Sequence, residues 1–157
     1  MKDRIAYLVL HNIRSSQNVG SLFRTADAAG IKKIFLTGYT PTPLDKFERP
    51  VKEIAKTALG AEKTISWEKI SIEECIKKLK IDGVQLIAIE QSETSTSYRD
   101  VIPKFPAAFL LGNEVTGIEQ EIVNLCDVVA EIPMRGEKES LNVSVAGGIA
   151  IFQMLGI

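Results

Sequence analysis

The residues with chemical potential fall in three runs. "HNIRSSQNVGSLFRTADAAGI" (11–31) gathers His11, Asn12, Arg14, Ser15, Ser16, Gln17 and Asn18, then sets Arg24 among Leu22, Phe23 and Ala26. Ser15 or Ser16 can cap a helix whose apolar stripe is Leu22, Phe23, Ala26 and Ala29, with Gly20 allowing a close backbone approach and Gly30 ending it. Arg24 sits beside that stripe, so its guanidinium emerges at the edge of a packed surface. There it can grip a phosphate or carboxylate, or instead lie over the core and pair with Asp27. "FLLGNEVTGI" (109–118) reads as a strand running into a turn, with Glu114 just past the strand end and glycines that let a ligand approach the backbone. An ordinary turn with a helix cap fits the same residues. "EIPMRGEKESLNVSVAGGIAIFQMLGI" (131–157) ends a strand at Pro133, then offers Ser140 or Asn142 as the cap of a helix with almost no polar face. A helix apolar all round must be buried all round, which predicts a homodimer packed partly through it or a central helix within one core.

Several chemistries are excluded by what the chain lacks. It has no GxGxxG after a strand, no GxxxxGK[ST], no HExxH and no GxSxG. The single histidine, His11, limits histidine-based acid–base schemes, and with Cys75 and Cys126 it fits no zinc spacing and no CxxC pair. No metal site is expected, and both cysteines read as small buried hydrophobes. No run has the length of a membrane-spanning helix, and "MKDRIAYLVL" lacks the cleavage region of a signal peptide, so a cytoplasmic protein without membrane contact is expected. The net charge of −1 hides an asymmetry: residues 1–33 carry six Lys/Arg against two Asp, and the remaining 124 carry 13 against 18. A nucleic-acid partner must therefore meet a local patch.

The elements that position these runs follow from the apolar pattern. The 157 residues suffice for one domain with a core. Short strands are expected at 5–10, 34–36, 64–67, 84–89, 107–112 and 128–132, several of them continuously apolar and so buried on both faces. Helices are expected at about 18–29, 50–57, 71–80, 118–125 and 142–155. The alternation predicts an α/β domain with a mainly parallel sheet and flanking helices. Residues 37–50 and 90–100 read as long loops after strands, where ligands gather in such sheets.

In this order, "NVGSLFRTADAAGI", "LLGNEVTGI" and "IPMRGEKESLNVSVAGGIAIFQ" resemble the three motifs of the SpoU (TrmH-like) RNA 2′-O-ribose methyltransferases of the SPOUT superfamily. The likeness covers essentially the whole chain. It implies one methyltransferase domain over residues 1–157, whose C-terminal part threads a loop as a deep trefoil knot. Knots are rare exceptions to chain topology, and no periodicity reveals one. The resemblance further implies a homodimer and S-adenosylmethionine (SAM) as cofactor. Asn18 and Arg24 match the asparagine and arginine of the first motif, Glu114 the glutamate of the second, and Ser140 and Asn142 the serine and asparagine of the third. By the same likeness the SAM pocket is formed by backbone around Ile89, Gly112, Ile132 and Met134, with Ser140 and Leu141 closing it.

The resemblance assigns Arg24 a functional role. A guanidinium stays protonated in proteins, so Arg24 reads as the group that binds an adjacent RNA phosphate and stabilises developing oxyanion character, while that phosphate or water takes the proton. Asn18, Glu114 and Asn142 then hold Arg24 and the ribose in line. Many family members add an N-terminal RNA-binding domain or flanking helices. This chain begins almost at the first strand, which predicts recognition by the core itself, through the positive segment 1–33 and loop 40–56 with Lys46, Arg49, Lys52 and Lys56. Transfer RNA is favoured over ribosomal RNA, because a small dimeric core can span a stem-loop. Two other readings are a non-catalytic SAM- or RNA-binding dimer and an unknotted nucleotide-binding α/β domain. The first leaves Arg24, Glu114, Ser140 and Asn142 without a purpose, and the second lacks a phosphate-cradling glycine loop.

Overall fold

Runs of branched and aromatic residues become strands buried from both sides. In the computed structural model, which describes residues 3–157, they are β1 (Ala6–His11), β2 (Lys33–Thr37), β3 (Ser66–Lys69), β4 (Gln85–Ile89), β5 (Thr96–Ser97), β6 (Ala107–Leu111) and β7 (Val128–Glu131). Lys2, counted above among the six Lys/Arg of residues 1–33, lies outside the described residues. The strands form one sheet in the order β3-β2-β1-β6-β4-β7-β5, with every pairing parallel.

Alternate side chains of each central strand feed two cores. Leu8, Leu10, Ile34, Leu36, Phe109 and Leu111 face one side, where α1 (Ser16–Ala29), α2 (Lys52–Ala58), α3 (Ala61–Thr64) and, later in the chain, α6 (Val143–Leu155) cover them. Val9, Phe35, Ala108 and Leu110 face the other side, under α4 (Ile72–Ile81) and α5 (Gln120–Val123). Both cysteines are free thiols in this second core; burial pushes Cys75 up to about 12 and Cys126 up to about 11.

Helix ends follow local chemistry. Ser15 accepts the Asn18 N–H at 3.1 Å and starts α1; Gly30 closes it at φ 74°. Asn142, not Ser140, caps α6, accepting the Ser144 N–H at 2.9 Å. The expected strand at 64–67 shifts to Ser66–Lys69, because Thr64 still belongs to the short helix α3. The helix expected over 118–125 shrinks to the four residues of α5, and the loop expected at 90–100 contains β5. The expectation that the last helix is buried all round does not hold within one chain: Val145 and Ile149 of α6 are 48% and 40% exposed. Among the described residues, no helix is long and apolar enough to cross a membrane.

Gly20 fixes the approach of α2 to α1. A Cβ at this position would collide with Thr57 Oγ1 and with the backbone carbonyl of Ile54. The Thr57 hydroxyl donates to the Gln17 carbonyl at 2.9 Å across the same contact. Gly20→Ala is therefore expected to cost about 2 kcal/mol, lowering the thermal midpoint by about 4–8 °C, as read by calorimetry. An unchanged midpoint would show that the two helices separate freely.

Candidate active site

The site is assembled at the carboxyl ends of β1, β6 and β4 and at the start of α6. β1 ends in His11, and the chain turns through Asn12 at φ 56° before α1 begins. The first backbone N–H groups of this segment would lack partners, and Glu114, about a hundred residues later, supplies them. Its carboxylate accepts the Arg14 N–H at 2.9 Å, the Ser15 N–H at 2.8 Å and the Asn18 side-chain amide at 3.1 Å. Burial alone would raise this carboxyl. The N–H groups of Arg14, Ser15 and Glu114 itself, with the Asn18 amide, outweigh burial and hold it below its ordinary value. The Asn142 amide donates to Asn18 Oδ1 at 3.2 Å, so the three motifs meet at one asparagine.

Glu114 is placed by a tight turn. Asn113 is buried, exchanges backbone hydrogen bonds with Gly117, and its side-chain oxygen accepts the Val115 and Thr116 N–H groups at 2.9 Å each. Gly112 is packed so closely that a Cβ would lie 2.5 Å from Ile118 Cγ1 and 2.7 Å from the Gly117 carbonyl carbon. This turn borders a pocket that also receives Ile89, Ile132, Met134, Ser140 and Leu141. All six residues expected around a cofactor thus border one cavity, and Glu114 lies on its rim.

The pocket's charge restricts its ligand. Glu90 and Glu114 line it, and among the described residues no lysine or arginine does so. Phosphates are disfavoured there; a neutral or cationic group with an apolar portion against Leu111, Val143 and Ala146 fits. Among the described residues, no three His, Cys, Asp or Glu side chains are grouped to hold a metal ion.

Arg24 stands apart from this network. It is exposed on α1, six residues and about 9 Å along the helix axis from Asn18, and pairs with no acid among the described residues. The alternative pairing with Asp27 is therefore not formed. Ser140 is exposed at the pocket mouth.

Sequence reasoning missed several neighbours. Glu90 accepts the Gln91 N–H at 2.9 Å and the Ile118 N–H at 3.0 Å, tying the end of β4 to the Glu114 turn. A carboxylate at the end of a continuously apolar strand was the available signal. Asn12 accepts the Tyr39 N–H at 3.1 Å and donates to Glu119 at 3.2 Å, while Asn113 donates to the Tyr39 hydroxyl at 2.8 Å. His11 is buried between Thr37 Oγ1 at 2.8 Å and Glu119 at 3.1 Å.

The chain is similar to known proteins in sequence and fold. The profile of the SpoU rRNA Methylase family matches residues 6–152. The 23S rRNA (guanosine-2′-O-)-methyltransferase RlmB of Neisseria meningitidis serogroup B is 32% identical over 145 residues, covering 92% of this chain and 55% of that protein. The tRNA (guanosine(18)-2′-O)-methyltransferase of Escherichia coli K12 is 30% identical over 148 residues, covering 92% and 60%. The crystal structure of an AdoMet-bound rRNA methyltransferase from Sinorhizobium meliloti superposes with a TM-score of 0.86 at 31% identity, over 96% of this chain and 55% of that one. The chain thus spans a little over half the length of these relatives. With the profile match running almost from end to end, the chain belongs to the SpoU rRNA methylase family.

Proposed function

We propose that the protein is a SAM-dependent RNA methyltransferase acting on a ribose 2′-hydroxyl, with tRNA as the favoured substrate. The observation that carries this reading is the pocket beside Glu114, which has two carboxylates and, among the described residues, no cation. A sulfonium ligand with an adenosyl group suits that lining; a phosphorylated cofactor does not. Backbone around Ile89, Gly112, Ile132 and Met134 would hold it, with Ser140 and Leu141 at the mouth. When bound, SAM supplies a sulfonium methyl group open to displacement by an oxygen.

The chain's own groups then position the attacking hydroxyl. Glu114 fixes Asn18 and the first turn of α1, and Asn142 holds the other side of Asn18. Arg24, free and exposed, binds the RNA phosphate beside the target ribose through its planar fork and stabilises negative charge growing on the 2′-oxygen. The proton of that hydroxyl passes to the phosphate or to water, since a guanidinium cannot accept it. Orientation supplies much of the rate.

Residues 1–157 act in this reading as one methyltransferase domain in the cytoplasm. A homodimer is supported by the exposed apolar face of α6, where Val145 and Ile149 await a partner surface. A trefoil knot is supported by strand order. β7 lies between β4 and β5, so the chain leaving it must pass the 90–106 connection to bring α6 against α1. The test of the activity is transfer of labelled methyl from SAM to separate pools of undermodified tRNA and rRNA. Label in tRNA is expected. Label in rRNA alone would reassign the substrate, and no label in either pool with SAM bound would overturn the catalytic reading.

A further inference from the structure

The loop between β2 and α2 holds a phenylalanine out in water. Phe47 is 64% exposed. Asp45 builds the support: its Oδ1 accepts the Phe47 N–H at 2.8 Å and the Arg49 N–H at 3.0 Å, and its Oδ2 accepts Arg49 Nε at 3.0 Å. Leu44 and Pro50 form a bridge that closes the loop, and the Asp45 N–H donates to the Arg49 carbonyl at 2.8 Å. The ring is flanked by two cations, with Lys46 Nζ 5.1 Å and the Arg49 guanidinium carbon 4.9 Å from its centroid.

The loop is pinned to the catalytic segment at both ends. At its start, Tyr39 bonds to Asn12 and Asn113, the Thr40 hydroxyl accepts the Ile13 N–H at 3.0 Å, and Lys69 Nζ donates to the Gly38 and Thr40 carbonyls at 2.6 and 2.8 Å. Beyond its end, Thr57 of α2 donates to the Gln17 carbonyl. These anchors lie on either side of the turn that Glu114 clamps. Lys52 and Lys56 add two exposed cations on α2 beside Glu53, so residues 44–56 carry four Lys/Arg against Asp45, Glu48 and Glu53.

We propose that residues 44–50 form a stacking platform for an unpaired RNA nucleotide next to the methylated ribose. The proposal rests on the RNA methyltransferase reading and names the part of the substrate this loop takes. An unstacked base lies on the Phe47 ring or the Arg49 guanidinium plane, and its flanking phosphates meet Lys46 and Arg49. Arg49 is already held by Asp45, so an apolar protein partner would leave the Lys46 ammonium facing a dry interface, whereas a nucleotide satisfies ring and ammonium together.

Fluorescence anisotropy with a labelled RNA hairpin and a blunt RNA duplex of equal length tests the proposal. Phe47 is exposed, so Phe47→Ala and Phe47→Trp should keep the fold, which circular dichroism verifies. Wild type is expected to prefer the hairpin. Phe47→Ala should weaken hairpin binding about tenfold, leaving duplex binding within twofold, and Phe47→Trp should stay within twofold of wild type with its emission quenched by the hairpin. The platform is overturned by a Phe47→Ala variant within twofold of wild type on the hairpin, by wild type binding both RNAs equally, or by wild type binding neither. It is also overturned by a change in dimer sedimentation at unchanged RNA affinity. Methyl transfer on the same preparations separates the two readings. Transfer that requires Arg24, with hairpin binding indifferent to Phe47, removes the platform alone. Hairpin binding that requires Phe47, without transfer, removes the catalytic reading and keeps the platform.

Discussion

Replacing Arg24 by alanine is expected to lower kcat for methyl transfer about a thousandfold, with SAM affinity within twofold of wild type. The split follows from position. Arg24 lies on the exposed face of α1 and does not line the pocket proposed for SAM, so that pocket loses none of its lining when the side chain is cut back. In the proposed mechanism the transition state loses a charged, two-pronged donor worth about 4 kcal/mol. Arg24→Lys keeps the charge but not the planar fork and should recover only part of the rate, leaving a loss of about tenfold. Single-turnover transfer from labelled SAM, beside calorimetric titration of SAM, reads both quantities. Full activity in Arg24→Ala would remove the residue from the chemistry.

The second large effect concerns Glu114. Its carboxylate serves three donors, the Arg14 and Ser15 N–H groups and the Asn18 amide, and a glutamine has only one accepting atom for them. Glu114→Gln should therefore cost about 2 kcal/mol of stability and lower kcat about a hundredfold, because Asn18 loses one of its two holders. The pH dependence has a definite sign. The folded carboxyl lies below its ordinary value of 4.5, so ionised Glu114 stabilises the fold fully above that value and less as pH falls through the lower, folded one. Urea denaturation of wild type and variant should show a difference that is constant near neutrality and shrinks below about pH 5. A difference that stays constant into acid would mean that the charge is not what the three donors require.

The central sheet was legible because buried parallel strands have no polar side: "IAYLVL", "VQLIAI" and "AAFLLG" announce themselves without alternation. Elements with little core contact were not. β3 exposes Ser66 and Lys69 and carries no apolar run, so its bounds slipped by two residues. β5 is two residues long and exists only through its pairing with β7. The site divides in the same way. Asn18, Glu114 and Asn142 could be chosen from motif order, but the meeting of all three at Asn18 is a tertiary fact between residues 96 and 124 positions apart. Glu90 and Glu119 were passed over because each is an ordinary surface acid in one dimension. Only folding sets Glu90 against the Ile118 N–H and Glu119 against His11.

The strand order also dictates a schedule for synthesis. β1 is made first among the strands, yet one of its two neighbours, β6, emerges from the ribosome some hundred residues later. Until then the nascent chain holds an apolar strand with one unsatisfied edge, the kind of edge that invites aberrant pairing. The clamp on the start of α1 is equally delayed, since Glu114 follows β6 directly. The N-terminal third therefore waits, incompletely ordered, for its partners, which favours slow acquisition of the native state and shelter by a chaperone during translation.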